Sequence, residues 1–216
     1  MAVKQPTLNR FYQQYLADEK SADFVRTVTR TYSIATLHRL AFGGDKITRR
    51  AATLALTLVA GRESFHVIGR ALRDEDRAVR LLASDGIHSV WSRSHGIHAE
   101  QQLNKVSRLL MAGRAETAIQ WIDRLLEDYP TFAEAWNKRS IALFDLERIY
   151  EAVTDCERVL ELNPYHFAAA TGLGHCYLDL EEPAVAIKHF QYALSINPDL
   201  EYVRSQIDQL QRSNDF

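Results

Sequence analysis

A chain of 216 residues, 46% hydrophobic and 25% charged, is large enough to bury a core without disulfide or metal staples. Its 26 Lys and Arg against 28 Asp and Glu leave a net charge of −2, which excludes a polybasic nucleic-acid coat and a highly charged disordered tail. Residues 1–20 hold no apolar run of the secretory kind, no stretch is long enough to span a bilayer, and the only cysteines are Cys156 and Cys176. The reading is a cytoplasmic protein with no membrane segment.

No proline occurs between Pro6 and Pro130, and neither alternating strand patterns nor hairpin turn pairs are evident, so an all-α chain is expected. It opens with two apolar groups at helical spacing, Phe11, Tyr12, Tyr15 and Leu16, then Phe24, Val25, Val28 and Tyr32, read as a terminal helix pair over 7–32. Beyond it a period of 31 aligns Asp45, Arg49 and Ala52 with Asp76, Arg80 and Ala83, and pairs Leu37 with Ile68 and Leu56 with Ile87. Asp45 and Asp76 are placed to cap helices, because a side-chain oxygen there accepts an orphan backbone N–H. This D-x-x-[TV]-R-x-x-A pattern resembles a HEAT repeat, in the short form of phycobilisome-lyase-like proteins. The resemblance implies a HEAT-like region over 1–98, with turn residues at 92–98 as the junction.

From there a period of 34 takes over. Pro130, Pro164 and Pro198 share it, as do Ala118, Ala152 and Ala186, and Leu126, Leu160 and Leu194. Together with Trp136, Gly174, Tyr177, Phe190 and Ala193, these residues resemble the tetratricopeptide repeat, with units at 99–132, 133–166 and 167–200. The resemblance implies two antiparallel helices per unit, small residues where helices approach closely, and a stop at each proline. Residues 201–216 read as a capping helix, with Tyr202, Val203, Ile207 and Leu210 as its apolar stripe, followed by a tail. The architecture expected is an α-solenoid of stacked antiparallel helix pairs.

Motifs that carry chemistry are scarce. The chain has no P-loop, dinucleotide fingerprint, nucleophile elbow or zincin pattern. His88, His95 and His98 cluster without a carboxylate or cysteine at ligand spacing, so neither a metal nor another cofactor is expected. Cys156 and Cys176 fall at packing positions on a second helix and the following first helix, and are read as buried thiols rather than a redox pair. The HEAT resemblance alone raises an enzyme of the bilin-lyase or glycosylase type. No nucleophile or acid–base set supports it, and no catalytic residue is assigned.

In the tetratricopeptide family the first helix of each unit lines a concave groove. The resemblance places Glu100, Leu103, Ser107, Leu110 and Met111 there, then Glu134, Asn137, Ile141, Phe144 and Asp145, then Ala168, Thr171, His175, Leu178 and Asp179. The family subtype that grips the C-terminal carboxylate of chaperones uses Lys, Arg and Asn where this chain has Leu103, Ser107, Lys138, Ala168 and Gly172, so that partner is excluded. The groove reads as apolar with an acidic fringe. Leu103, Met111, Ile141, Phe144 and Leu178 are candidate anchors, and Glu100, Glu134, Asp145 and Asp179 would set a preference for basic partners. Helical spacing does not separate groove from core, so packing of Leu103, Met111 and Phe144 against neighbouring helices stays open.

Charge divides the chain. Residues 1–98 hold 15 Lys and Arg against 9 Asp and Glu, and residues 99–216 hold 11 against 19. A non-enzymatic adaptor that binds a protein or peptide is the first reading. The alternative is a nucleic-acid-associated module whose Arg49, Arg50, Arg70, Arg73 and Arg77 contact phosphates. Opposite charge on the two halves also permits head-to-tail self-association.

Overall fold

The computed structural model describes residues 7–214, and the last two residues of the expected tail lie outside them. Among the described residues the regular structure is thirteen α-helices and one 3-10 turn, with no strand, and the helices stack as antiparallel pairs in an α-solenoid. No helix among them is long and apolar enough to cross a membrane. They fall into two compact units, Met1–Arg93 and Ser94–Phe216.

The first unit holds α1 (Thr7–Asp18), α2 (Ser21–Thr31), α3 (Ile34–Gly43), α4 (Lys46–Val59), α5 (Phe65–Ala71) and α6 (Arg77–Ser92). Three helix starts are set by side chains. Ser33 accepts from the Thr36 N–H at α3, Asp45 from the Thr48 N–H at α4, and Asp76 from the Val79 N–H at α6. The helix α4 sits at the centre, buried from Ala51 through Thr57 and packed on α1, α2, α3, α5 and α6. Its run of small residues permits that crowding. At Gly86 the approach of α6 is so close that a Cβ would lie 2.2 Å from the Thr57 Cβ, so no side chain fits. The period-31 partners Leu37 and Ile68, and Leu56 and Ile87, are all buried in this core.

The second unit repeats one motif. Its helix pairs are α7 (Gly96–Met111) with α8 (Ala115–Asp128), α9 (Ala133–Asp145) with α10 (Ile149–Leu162), and α11 (Phe167–Asp179) with α12 (Pro183–Ile196). The last helix, α13 (Glu201–Asn214), packs on α12. Ala118, Ala152 and Ala186 are fully buried where the two helices of a pair meet. At Gly174 a Cβ would lie 2.2 Å from the ring of Phe190, so the ring occupies the space a side chain would need. Val203 and Ile207 of α13 share a buried cluster with that ring. Pro130, Pro164 and Pro198 each follow the end of a second helix, where a missing N–H costs no helical bond.

The turn inside each pair has its own 34-residue register. Gly113, Glu147 and Glu181 adopt left-handed backbone, with φ of 68°, 59° and 59°. The N–H of the next residue reaches back to the carbonyl of Leu109, Leu143 and Tyr177 at 2.9, 2.9 and 2.8 Å, which closes the first helix in the same way three times. Only the first turn has the glycine this conformation favours; a Cβ there costs about 1–2 kcal/mol. Glu147→Gly and Glu181→Gly are therefore expected to stabilise the protein by about 0.5–1 kcal/mol each, the relief of strain outweighing the added chain entropy. Gly113→Ala should destabilise it by a similar amount. Urea denaturation followed by circular dichroism checks the opposite signs.

Candidate functional site

The first helices α7, α9 and α11 of the second unit are neighbours in sequence order. Between α9 and α11 lies a cleft of about 160 Å³, lined by Ser140, Ile141, Phe144, Asp145, Cys156, Gly172, His175 and Cys176. Helix periodicity assembles it. Ile141, Phe144 and Asp145 are spaced i, i+3 and i+4 on α9, and Gly172, His175 and Cys176 repeat that spacing on α11, so each set shares one face. The floor comes from Cys156 of α10. Gly172 keeps the cleft open over it, since a Cβ there would sit 3.2 Å from the Cys156 Sγ.

The walls are apolar and the rim is acidic. Ile141 is 42% exposed, while Phe144 is half-buried against Leu143, Ile149 and Ala152. His175 packs edge-on to Phe190 at 5.2 Å and lies 6.0 Å from the ring of Tyr202 on α13. Burial holds its pKa below the usual histidine value, so the ring is neutral at neutral pH and adds no cation to the wall. Asp145 is exposed at the mouth, and Asp179 is exposed at the end of α11.

Of the residues expected to face a groove, the structure brings Ile141, Phe144, Asp145 and His175 together in this cleft. Three others must be reassigned. Leu103 is 1% exposed and belongs to the core with Val106, Ile122, Leu125 and Phe132, because α8 covers that face of α7. Asn137 is buried, its carbonyl accepting from the Ser140 hydroxyl. Glu134 is buried and cannot form a charged fringe. Its carboxylate accepts from His166 Nε2 at 2.9 Å and pairs with Lys138 at 3.4 Å. The backbone N–H of Ala169 donates to the other ring nitrogen of His166, so the proton sits on Nε2 and the ring caps α11 while tying it to α9. Glu100 and Thr171 are half-buried, the latter donating its hydroxyl to the Phe167 carbonyl. Leu178 is half-buried against Phe190 and Val203, and Met111 stands 89% exposed at the end of α7, apart from the cleft lining.

A second polar device lies behind the cleft. Arg139 of α9 holds both carboxylate oxygens of Asp155 on α10 at 2.8 Å and one oxygen of Asp123 on α8 at 2.7 Å. It also stacks 4.5 Å from the ring centroid of Trp136. One guanidinium thus links three helices, with Asp155 buried beneath it. Sequence reading missed this network, although an Arg flanked by Asp residues 16 positions to either side was the available signal. Among the described residues no group of three or more His, Cys, Asp and Glu side chains comes together to hold a metal ion.

Comparison with known proteins bears on this unit. A sequence profile of the tetratricopeptide repeat matches residues 133–166 and 168–200. These two segments are tetratricopeptide repeats. They supply both walls and the floor of the cleft. Over 138 residues the chain is 23% identical to a TPR repeat-containing protein of Rhizobium etli, covering 64% of this chain and 67% of that protein. It is also 27% identical over 114 residues to sperm-associated antigen 1 of Mus musculus, covering 53% of this chain but only 12% of that protein. Among solved structures, the first TPR of Spaghetti (RPAP3), bound to an HSP90 peptide, superposes with a TM-score of 0.51 at 18% identity over 53% of this chain and 91% of that one. MamA does so with a TM-score of 0.50 at 19% identity, over 71% of this chain and 80% of that one. At these identities the structural likeness concerns the fold.

In the first unit, the structure corrects two of the arginines expected to meet phosphates. Arg49 clamps Asp74 through Nε and Nη2, both at 2.9 Å, and reaches Glu75 at 2.9 Å and the Gly44 carbonyl at 3.2 Å. Arg50 clamps Asp76 at 2.8 and 2.7 Å. Both guanidiniums are already neutralised by bidentate partners, so a phosphate would have to displace a preformed pair. Arg70, Arg73 and Arg77 are exposed, with Arg70 lying 4.5 Å over the ring of Phe42.

The Arg50 clamp, and then the Val79 N–H, hold the Asp76 carboxyl down at about 2 from an ordinary 3.8, against the opposing effect of burial. A carboxylate with a lowered folded pKa stabilises the folded state fully above its unfolded pKa and loses that contribution as pH falls through the folded value. Stability from this group is therefore complete above pH 3.8 and declines toward pH 2. Asp76→Asn should lower stability at neutral pH and flatten the acid dependence of unfolding in this window, read by circular dichroism at 222 nm, about the usual helix wavelength. An unchanged acid profile would contradict the assignment.

Proposed function

We propose that the protein is a non-enzymatic interaction module whose second unit binds a peptide or helix in the cleft between α9 and α11. The observation that carries this reading is the cleft itself, with Ile141 and Phe144 as its wall, Asp145 at its mouth and no cation in its lining. Its size narrows the ligand. A pocket for a cofactor-sized molecule measures about 300–1,000 Å³; at about 160 Å³ this one suits a single large side chain. The occupant is an apolar anchor residue of a protein partner, flanked by Lys or Arg that meet Asp145 and Asp179. The surplus of 19 acidic over 11 basic residues in 99–216 favours the same sign.

A chaperone C-terminal carboxylate fits poorly. At the positions where such a ligand needs cations, Leu103 lies in the core and Lys138 is paired with Glu134. Ala168 and Gly172 carry no charge at all. The HSP90 peptide bound to a structural neighbour therefore supports a peptide as the kind of partner, but not its chemistry.

Fluorescence anisotropy with short labelled peptides tests the proposal. A peptide with a central Leu or Phe between Lys residues should bind, and the same anchor between Glu residues should bind at least tenfold more weakly, a difference of about 1.4 kcal/mol. Ile141→Glu, at a partly exposed position that tolerates a polar side chain, should reduce binding of the basic peptide by a similar factor. Asp145→Lys should invert the preference. Equal binding by the wild type and both variants would remove the cleft from consideration.

A further inference from the structure

The first unit carries a cavity of its own, about 370 Å³ in volume, between α3 and α5. Ala41 and Phe42 of α3 line it with Val67, Arg70 and Ala71 of α5, and with Arg73 and Asp74 of the turn that follows. It is more than twice the size of the cleft in the second unit. That volume lies within the range of about 300–1,000 Å³ usual for small-molecule sites. Val67 and Ala71 are buried and give the cavity an apolar floor, while Phe42 is 42% exposed beside it. Two side chains one turn apart on α5 position that ring. Arg70 lies 4.5 Å over its centroid, and the His66 ring stands 6.1 Å from it.

The positive charge in this cavity is not spent on the fold. Elsewhere in the unit Arg49 and Arg50 hold carboxylates, and Arg93 donates to the carbonyls of Thr57 and Ala60. Among the described residues neither Arg70 nor Arg73 meets a carboxylate. They are not needed as caps either. The carbonyls of Ile68, Arg70 and Ala71 at the end of α5 already accept from the N–H groups of Leu72, Arg73 and Asp74. The carboxylate in the lining, Asp74, is held by Arg49 and also accepts from the Asp76 N–H.

We infer that this cavity binds a small aromatic anion, its carboxylate or phosphate held by Arg70 and Arg73 and its ring laid against Phe42. A guanidinium suits such a head because its planar fork donates two N–H groups to one oxyanion. Phe42 and the apolar floor take the planar body out of water. Glu75 stands 85% exposed in the same turn and opposes a continuous run of phosphates, so a single anionic head fits better than a nucleic-acid backbone. The site lies within the first unit and is independent of the cleft between α9 and α11.

Isothermal titration calorimetry of the whole chain with naphthoate, naphthyl phosphate and neutral naphthalenemethanol tests this. Either anion should bind saturably at one site, and the neutral alcohol about tenfold more weakly or worse. The tighter of the two anions identifies the head that the arginines prefer. Arg70→Gln combined with Arg73→Gln should weaken anion binding about tenfold or more, with circular dichroism confirming the fold. Phe42→Leu should reduce the preference for naphthoate over cyclohexanecarboxylate, and Arg77→Gln, outside the lining, should leave binding unchanged. No saturable binding of either anion at millimolar concentration would overturn the inference, as would anion binding that survives the double substitution. Binding of duplex DNA that Arg77→Gln weakens as much as the double substitution does would overturn it in favour of a phosphate-tracking surface.

Discussion

Everything in the second unit depends on how closely the two helices of a repeat can approach. Ala118, Ala152 and Ala186 are completely buried at the three equivalent crossings, and Gly174 gives its place to the Phe190 ring. A larger side chain at any of these sites has nowhere to go, because an overfilled contact forces the backbone apart at a cost of about 1–3 kcal/mol. The cleft follows from the same constraint. α10 and α11 bring Gly172 so near Cys156 that a Cβ there would lie 3.2 Å from the sulfur, a tight contact that glycine avoids. Packing and candidate binding site are thus one piece of geometry.

Charge is handled differently in the two units. In the first, the positive excess of residues 1–98 is partly absorbed inside the fold: Arg49 and Arg50 hold Asp74 and Asp76, Arg80 reaches the Asp74 carbonyl, and Arg93 reaches the Thr57 carbonyl. Arg49, Arg50 and Arg80 knit the turn before α6 to the helices around it, Arg93 ties the end of α6 to the end of α4, and the Asp76 carboxylate serves both as cap and as ion-pair partner. In the second, Glu134, Asp123 and Asp155 are committed to neighbouring helices, which leaves Asp145 as the carboxylate at the mouth of the cleft. A count of charges describes the sign of each unit, while the hydrogen bonds decide which charges a partner meets.

Much of the fold was legible because repetition exposes it. The 34-residue spacing of prolines and alanines located the helix pairs of the second unit, and Asp45 and Asp76 marked the starts of α4 and α6. What a period does not reveal is which way a first-helix residue turns. Leu103, Asn137 and Ile141 were read from the same kind of position, yet Leu103 is buried by α8 and Asn137 by its own neighbourhood, while Ile141 remains open. Contacts between helix pairs were equally hidden: His166, the cap of α11, bonds Glu134 of α9 across 32 residues. The left-handed Glu147 and Glu181 ran against local propensity, because the turn geometry is imposed by the helices it joins.

The central claim is that the cleft between α9 and α11 is where a partner docks. Methyl-resolved NMR of the Ile and Leu side chains, recorded while an apolar-anchored basic peptide is added, examines it residue by residue. The account predicts saturable shifts centred on Ile141, which lines the cleft, with Leu8, Leu37, Leu56 and Ile68 unmoved in the core of the first unit. Shifts centred on the first unit, or a titration that leaves Ile141 unchanged while other residues saturate, would contradict it.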